Sequence, residues 1–255
     1  MKSNELKIAI KIAKKINKLL KKEFNSLGQT EIETKKHGEI VTKADKKANK
    51  IIIKELERYF PTDNIISEEM PAIEKGSERT WFVDPLDGTS NFAYGFKEFT
   101  THIGFTEKDK IKLGVVGSPL TNEVFWAESG KGAFVDNKKI SVSEPKHKQL
   151  MALICGGHTK KGILKLNKVF KNLNEINSQV RIFAAAGVEL TSVASGKADV
   201  CIMTDVHSWD VVAGIAILRE AGGKATNFKG ENWQIGDKNI VATNGKLHKK
   251  ILSLL

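Results

Sequence analysis

Leu6, Ile10, Ala13, Ile16, Leu20 and Phe24 recur every three to four positions with lysines between them, which predicts an amphipathic helix over the first 25 residues. Thr42-Lys-Ala-Asp45 has capping-box form, a hydroxyl followed three positions on by an acid, and opens a second helix that Pro61 stops. Between the two, Gly28 and Gly38 bracket a polar, lysine-rich stretch that reads as a loop or hairpin. Ile65-Ile66 is a short strand running straight into Ser67-Glu68-Glu69, and Trp81-Phe82-Val83 is another running into Asp84. Apolar runs at 102–105, 113–116, 124–126 and 133–135, separated by glycine or polar turns, predict an antiparallel meander. Strands at 150–155, 180–183, 199–203 and 240–243 then alternate with helices near 162–173, 190–195 and 210–221, the last closed by Gly222-Gly223. This order predicts an α+β fold with a seam near Pro145, dividing residues 1–145 from 146–255.

Composition narrows the class. At 255 residues, 40% hydrophobic and 28% charged, the chain can bury a sizeable core and is unlike disordered, collagenous or disulfide-framework proteins. Its longest mostly apolar stretch, 211–218, is eight residues, against the roughly 20 needed to cross a bilayer. Lysines interrupt the apolar positions of the N-terminus, so no secretory h-region is read there and the cytoplasm is expected. Cys155 and Cys201 lie in no metal-ligand spacing and read as buried free thiols.

The formal charge of +11 raises nucleic acid or an anionic membrane surface as partners. Residues 1–25 hold eight lysines against Glu5 and Glu23, a net +6, and the remaining excess is spread thinly. At 7% aromatic the chain lacks the stacking platforms of single-strand binders. A core-packing stripe also explains the first helix better than a membrane-surface one. Neither membrane nor nucleic acid is expected as the main partner.

The candidate chemistry lies in Trp81-Phe-Val-Asp84-Pro-Leu-Asp87-Gly-Thr89-Ser-Asn91-Phe92. Two aspartates three positions apart flank Pro85, which fixes its own φ, and this holds both carboxylates on one side of a rigid turn. With the Leu86 carbonyl they form an all-oxygen donor set suited to magnesium. The Gly88-Thr89 amides form a small anion cradle. An isolated pair of this kind is most simply an Asx turn. Glu68 alone is most simply a loop charge, and Asp210 alone a helix N-terminal acid. These bland readings weaken jointly, because acids terminate apolar segments at three places in one chain, and converging carboxylates without a cation are costly.

Glu68-Glu69, Asp84-Pro-Leu-Asp87-Gly-Thr89-Ser-Asn-Phe92 and Trp209-Asp210-Val-Val-Ala-Gly214 resemble, in order, the three signatures of the inositol monophosphatase family, lithium-sensitive Mg-dependent phosphatases. Thr42-Lys-Ala-Asp45, Gly114-Val-Val-Gly-Ser-Pro119, Gly130-Lys-Gly132-Ala-Phe and Glu220-Ala-Gly-Gly223 extend the resemblance over nearly the whole chain. It implies a layered α/β/α/β/α sandwich, a homodimer, and hydrolysis of small phosphomonoesters with two or three Mg²⁺ ions. Residues 1–145 would carry most metal ligands, and 146–255 the substrate pocket and the last ligand.

Position by position, Glu68, Asp84 and the Leu86 carbonyl resemble ligands of a first Mg²⁺. Asp84, Asp87 and Asp210 resemble ligands of a second, with Glu68 helping to hold a weaker third. Thr89, oriented by Asp45 and Glu68, resembles the group that positions the attacking water. Asp87, Gly88, Thr89, Gly156, Ala186, Met203 and Asp210 are the expected substrate-binding positions. Inositol-preferring members carry a glutamate where this chain has Met203, with Asp205 two positions on, and Gly156-Gly157 replaces a frequent Ser-Ser pair. His158, Lys160 and Lys161 follow, read either as an exposed basic turn or as contacts for a second anionic group. The substrate therefore stays open among inositol 1-phosphate or related sugar and polyol phosphates, a 3′(2′),5′-bisphosphate nucleotide, fructose 1,6-bisphosphate and histidinol phosphate. A non-catalytic, basic nucleic-acid-binding protein is the alternative from another class.

Overall fold

Ser3 and Thr42 open the two N-terminal helices. Ser3 Oγ accepts from the Leu6 amide at 3.2 Å and caps α1 (Asn4–Phe24). Thr42 and Asp45 exchange both bonds of a capping box at the start of α2 (Lys43–Tyr59). Between them, β1 (Ile32–Thr34) and β2 (Ile40–Thr42) pair antiparallel, while Gly28 and Gly38 lie outside the described residues. This computed structural model describes residues 2–26, 32–34, 40–144, 149–156 and 159–255.

An eight-stranded sheet follows, built from β3 (Asn64–Ser67), β4 (Met70–Ile73), β5 (Arg79–Asp87), β6 (Thr100–Glu107), β7 (Lys110–Ser118), β8 (Glu123–Glu128), β9 (Ala133–Val135) and β10 (Lys138–Ile140). Its strand order is β10-β9-β8-β7-β6-β5-β3-β4, with β3 parallel to β5 and the other pairs antiparallel. A six-residue helix, α3 (Thr89–Tyr94), leaves β5 directly. The second sheet, ordered β12-β11-β13-β15-β14, holds β11 (Leu150–Cys155), β12 (Ser178–Arg181), β13 (Val200–Thr204), β14 (Lys224–Thr226) and β15 (Asn239–Thr243). Its helices are α4 (Lys160–Glu175), α5 (Ala186–Ala194), α6 (Ser208–Glu220) and α7 (His248–Leu252). The first sheet lies within 1–145 and the second within 146–255; of the expected seam at 145–149, residues 145–148 lie outside the described residues.

Three cores hold five layers together, the middle one spanning both faces of the central helices, and give the expected α/β/α/β/α sandwich. Leu6, Ile16 and Leu20 of α1 and Ile52 and Leu56 of α2 share one core with Trp81, Val83, Ile103 and Val115 on the outer face of the first sheet. α5 and α6 fill the space between the sheets with Leu190, Val193, Val211, Val212 and Ile215, against Phe82, Val116 and Cys201. Val169, Leu173 and Ile251 of α4 and α7 cover the far face of the second sheet. Strand alternation then aims chemistry inward: Phe82 faces the middle layer, so Asp84, two residues on, faces it too.

Candidate active site

The aspartate pair sits within a strand rather than in the turn expected from Pro85. β5 continues to Asp87, and its register against β6 shifts between Asp84, opposite His102, and Asp87, opposite Thr100. This bulge places three residue steps on β5 against two on β6, which re-aims the strand and lets two acids three positions apart share one side. Thr101 Oγ1 donates to the Pro85 carbonyl at 3.0 Å and pins the bulge. Asp84 Oδ1 accepts from the Leu86 amide at 3.0 Å, so the Asx turn exists alongside the chemistry. The parallel register puts Ser67 opposite Val83, and the Glu68 amide donates to the Val83 carbonyl at 3.2 Å, which holds Glu68 beside Asp84.

Asp210 arrives from the other half of the chain. It lies in the first turn of α6 and accepts from the His207 amide at 2.6 Å. α6 comes this close because Gly104 and Gly114 pair across β6 and β7: a Cβ on Gly114 would lie 2.1 Å from the Ala213 carbonyl oxygen, and one on Gly104 2.6 Å from Val212 Cγ1. Asp45 is fully buried, accepting from the Thr42 amide and hydroxyl on one oxygen and from Thr89 Oγ1 at 2.9 Å on the other. The Leu86 carbonyl is also 2.9 Å from Thr89 Oγ1. Gly88, at φ +82, turns the chain from β5 into α3 where a Cβ would meet the Glu98 carbonyl at 2.7 Å.

The electrostatics follow from crowding acids in a dry place. Burial pushes the Asp84 carboxyl well above its ordinary range, and Glu68, Asp87, Asp210 and Asp45 push it further. Burial raises Asp210 to about 7, with Glu68 and Asp87 adding to the effect against the His207 amide. Asp87 goes the other way: burial opposes its charge, but His102, Thr100 and the Gly187 amide outweigh burial and lower it. His102, fully buried with Nε2 3.3 Å from Asp87 Oδ2, is correspondingly raised despite its burial. Asp45 is raised, chiefly by burial.

Four segments thus bring Glu68, Asp84, Asp87, Asp210 and Asp45 within Coulomb range of one another. Among the described residues no three His, Cys, Asp or Glu side chains already close into a ligand cage. The donor set nonetheless fits a hard divalent cation, being all oxygen and repelled by its own charge until a cation neutralises it.

The expected substrate positions divide. Gly156, at φ +100, is forced to be glycine by the Thr204 carbonyl 2.0 Å from any Cβ. The Ala186 amide is engaged by Asp87 Oδ1 at 2.9 Å. Met203 is fully buried in the middle core, opposite Cys155 and Ile240, and shows no surface to solvent. Asp205 receives the Thr159 amide and hydroxyl at 3.1 Å. Lys160 and Lys161 are exposed at the start of α4, and Gly157 and His158 lie outside the described residues. Thr100, His102 and Glu189 escape sequence reading, although a histidine and threonine inside an apolar run facing the Asp-Pro-Leu-Asp strand are the signal that could have found the first two.

The inositol monophosphatase family pattern matches residues 1–255. The chain belongs to the inositol monophosphatase family. A Thermotoga maritima relative named fructose-1,6-bisphosphatase/inositol-1-monophosphatase is 33% identical over 254 residues, covering 99% of this chain and 96% of the relative. A Pasteurella multocida protein named Nus factor SuhB is 32% identical over 251 residues, covering 97% and 94%. The solved structure of extragenic suppressor protein suhB from Bartonella henselae superposes with a TM-score of 0.92 at 30% identity, covering 99% of this chain and 98% of that one. The bulged β5, the Glu68 strand end and the α6 N-terminus carry the acidic segments that resemble the family's signatures.

Proposed function

We propose that this protein hydrolyses small phosphomonoesters, with Glu68, Asp84, Asp87, Asp210 and the Leu86 carbonyl holding two or three Mg²⁺ ions. When bound, Mg²⁺ neutralises the phosphate dianion and supplies an acidified water. The observation that carries the reading is the convergence of Glu68, Asp87, Asp210 and Asp45 on buried Asp84, with Glu68 held beside it at the Val83 carbonyl and Asp87 brought to the same side by the bulge. Asp45 orients Thr89: with its proton directed to Asp45 Oδ1, the Thr89 hydroxyl keeps lone pairs to accept from, and so align, an attacking water. The Gly88 and Thr89 amides stand at the start of α3, where first-turn donors have no acceptor within the helix, and are available to phosphate oxygens.

The substrate class is inositol 1-phosphate or a related sugar or polyol phosphate, and Met203, which stands where inositol-preferring members carry a glutamate, is packed in the core and offers the alcohol no acceptor. Without a charged acceptor for ring hydroxyls, discrimination falls to shape preference of only about 1–3 kcal/mol per methylene, and broad selectivity follows. The free thiols Cys155 and Cys201 support a reducing, cytoplasmic setting. Exposed Tyr94, Phe96 and Ile182 flank the joint where Asn91 Nδ2 donates to the Phe183 carbonyl at 2.6 Å, and support a homodimer through that edge. Li⁺ competing for a Mg²⁺ position follows from the same reading. A panel of inositol 1-phosphate, fructose 1,6-bisphosphate, glycerol 2-phosphate and a 3′,5′-bisphosphate nucleoside, assayed with and without Mg²⁺, tests it: Mg²⁺-dependent turnover of several esters is expected, and none on any ester contradicts it.

A further inference from the structure

Asp87 is held at both oxygens by the start of α5. The Ala186 amide donates to Oδ1 and the Gly187 amide to Oδ2, each at 2.9 Å. Oδ2 also receives Thr100 Oγ1 at 2.7 Å and lies 3.3 Å from His102 Nε2, so it is filled, whereas Oδ1 keeps acceptor capacity for another partner. α5 can approach so closely because residue 187 is glycine; a Cβ there would lie 2.2 Å from His102 Nε2 and 2.3 Å from Thr100 Oγ1.

The segment that delivers α5 is strained. Ala184 has φ 53, a left-handed conformation costing a non-glycine residue about 1–2 kcal/mol, so its neighbours must hold it. Both polar backbone groups of Phe183 are clamped. Its amide donates to Glu189 Oε1 at 3.0 Å, and its carbonyl accepts from Asn91 Nδ2 at 2.6 Å. Glu189 is itself fully buried in the first turn of α5 and reaches back to the segment that leads into its own helix. Its Oε2 accepts weakly from Cys201 Sγ at 3.7 Å.

We infer that Glu189 is a positioning residue for Asp87: by fixing Phe183 it keeps Ala184 left-handed and so aims the Ala186 and Gly187 amides at the two Asp87 oxygens. The inference rests on reading Asp87 as a metal ligand. Burial raises Glu189 to about 8, so at neutral pH it is a neutral acid and adds no further negative charge beside the metal acids. A neutral hydrogen-bonding group is what this position requires, and glutamine supplies one of the same shape.

Calorimetric titration of Mg²⁺ into the full-length protein without substrate separates the possibilities. Glu189→Gln keeps an acceptor for the Phe183 amide and should bind Mg²⁺ within about threefold of wild type. Glu189→Leu keeps the volume but loses the acceptor, and should weaken Mg²⁺ by about 10–100-fold, the range for groups that orient a metal ligand. Adding Ala184→Gly to Glu189→Leu makes the left-handed conformation intrinsically accessible and should recover part of that loss. Asn91→Ala, which frees the other side of Phe183, should weaken Mg²⁺ in the same direction and serves if Glu189→Leu does not fold. Wild-type affinity in Glu189→Leu, or in Asn91→Ala where Glu189→Leu does not fold, overturns the inference alone. A wild-type protein that binds no Mg²⁺ overturns the metal reading and the inference with it.

Discussion

Thr89 Oγ1 lies 2.9 Å from Asp45 Oδ1, joining the first turn of α3 to the capping box of α2 across 44 positions of chain. The capping acid is therefore shared between a helix start and a hydroxyl beside the acidic cluster. Thr89→Val removes the hydroxyl and keeps the shape, so kcat should fall about 100-fold or more while Mg²⁺ affinity changes little. Steady-state kinetics with a Mg²⁺ titration checks this; an unchanged kcat would remove Thr89 from water positioning.

Mg²⁺ binding should weaken as pH falls. Asp210 is raised to about 7 and Asp84 well above its ordinary range, so below neutrality protons occupy oxygens that a cation needs. Affinity should rise with pH through about 7, and calorimetry in buffers of different ionisation heat should show protons released on binding. A flat pH dependence with no proton release would mean that these acids do not bind the ion.

Glu189 makes a separate stability prediction. Its carboxyl stays protonated in the folded protein up to about pH 8, whereas in the unfolded chain it ionises near 4.5. Between those values the folded state holds more protons, so this group's contribution falls as pH rises, by up to about 1.4 kcal/mol per pH unit. Denaturant unfolding across pH 4.5–8 should show a shallower decline in Glu189→Gln than in wild type. Parallel profiles would contradict a buried, protonated Glu189.

The N-terminal helix packs as a structural element, with Lys7, Lys11, Lys14 and Lys18 turned to solvent and Ile16 fully buried. Ile16→Ala should cost about 2–5 kcal/mol of stability by leaving a cavity between α1 and the sheet. Urea unfolding measures it; a loss below about 1 kcal/mol would make α1 an accessory.

The helices, the meander and the strand ends carrying Glu68 and Asp84 were legible because their signals are local: periodicity, a capping box, an acid after an apolar run. The bulge between Asp84 and Asp87 was not, since it exists only in the register with β6. His102 and Thr100 gain their roles when Gly187 lets α5 close on Asp87, a contact between segments far apart in the chain. Position 203 reads as a pocket residue in sequence, yet β13 is an interior strand and its pairing with β11 and β15 leaves Met203 in the core. The short strands β4 and β14 and the helix α7 carry too few residues for periodicity to mark them.

Phosphate-ester hydrolysis is proposed to depend on Asp84 joining the other acids in holding the ions. The most direct test of that dependence is hydrolysis of inositol 1-phosphate at saturating Mg²⁺ by wild type and Asp84→Asn, each confirmed folded by circular dichroism. Wild type should show Mg²⁺-dependent turnover, and Asp84→Asn should lose several orders of magnitude in kcat. Equal turnover by the two proteins would contradict the dependence.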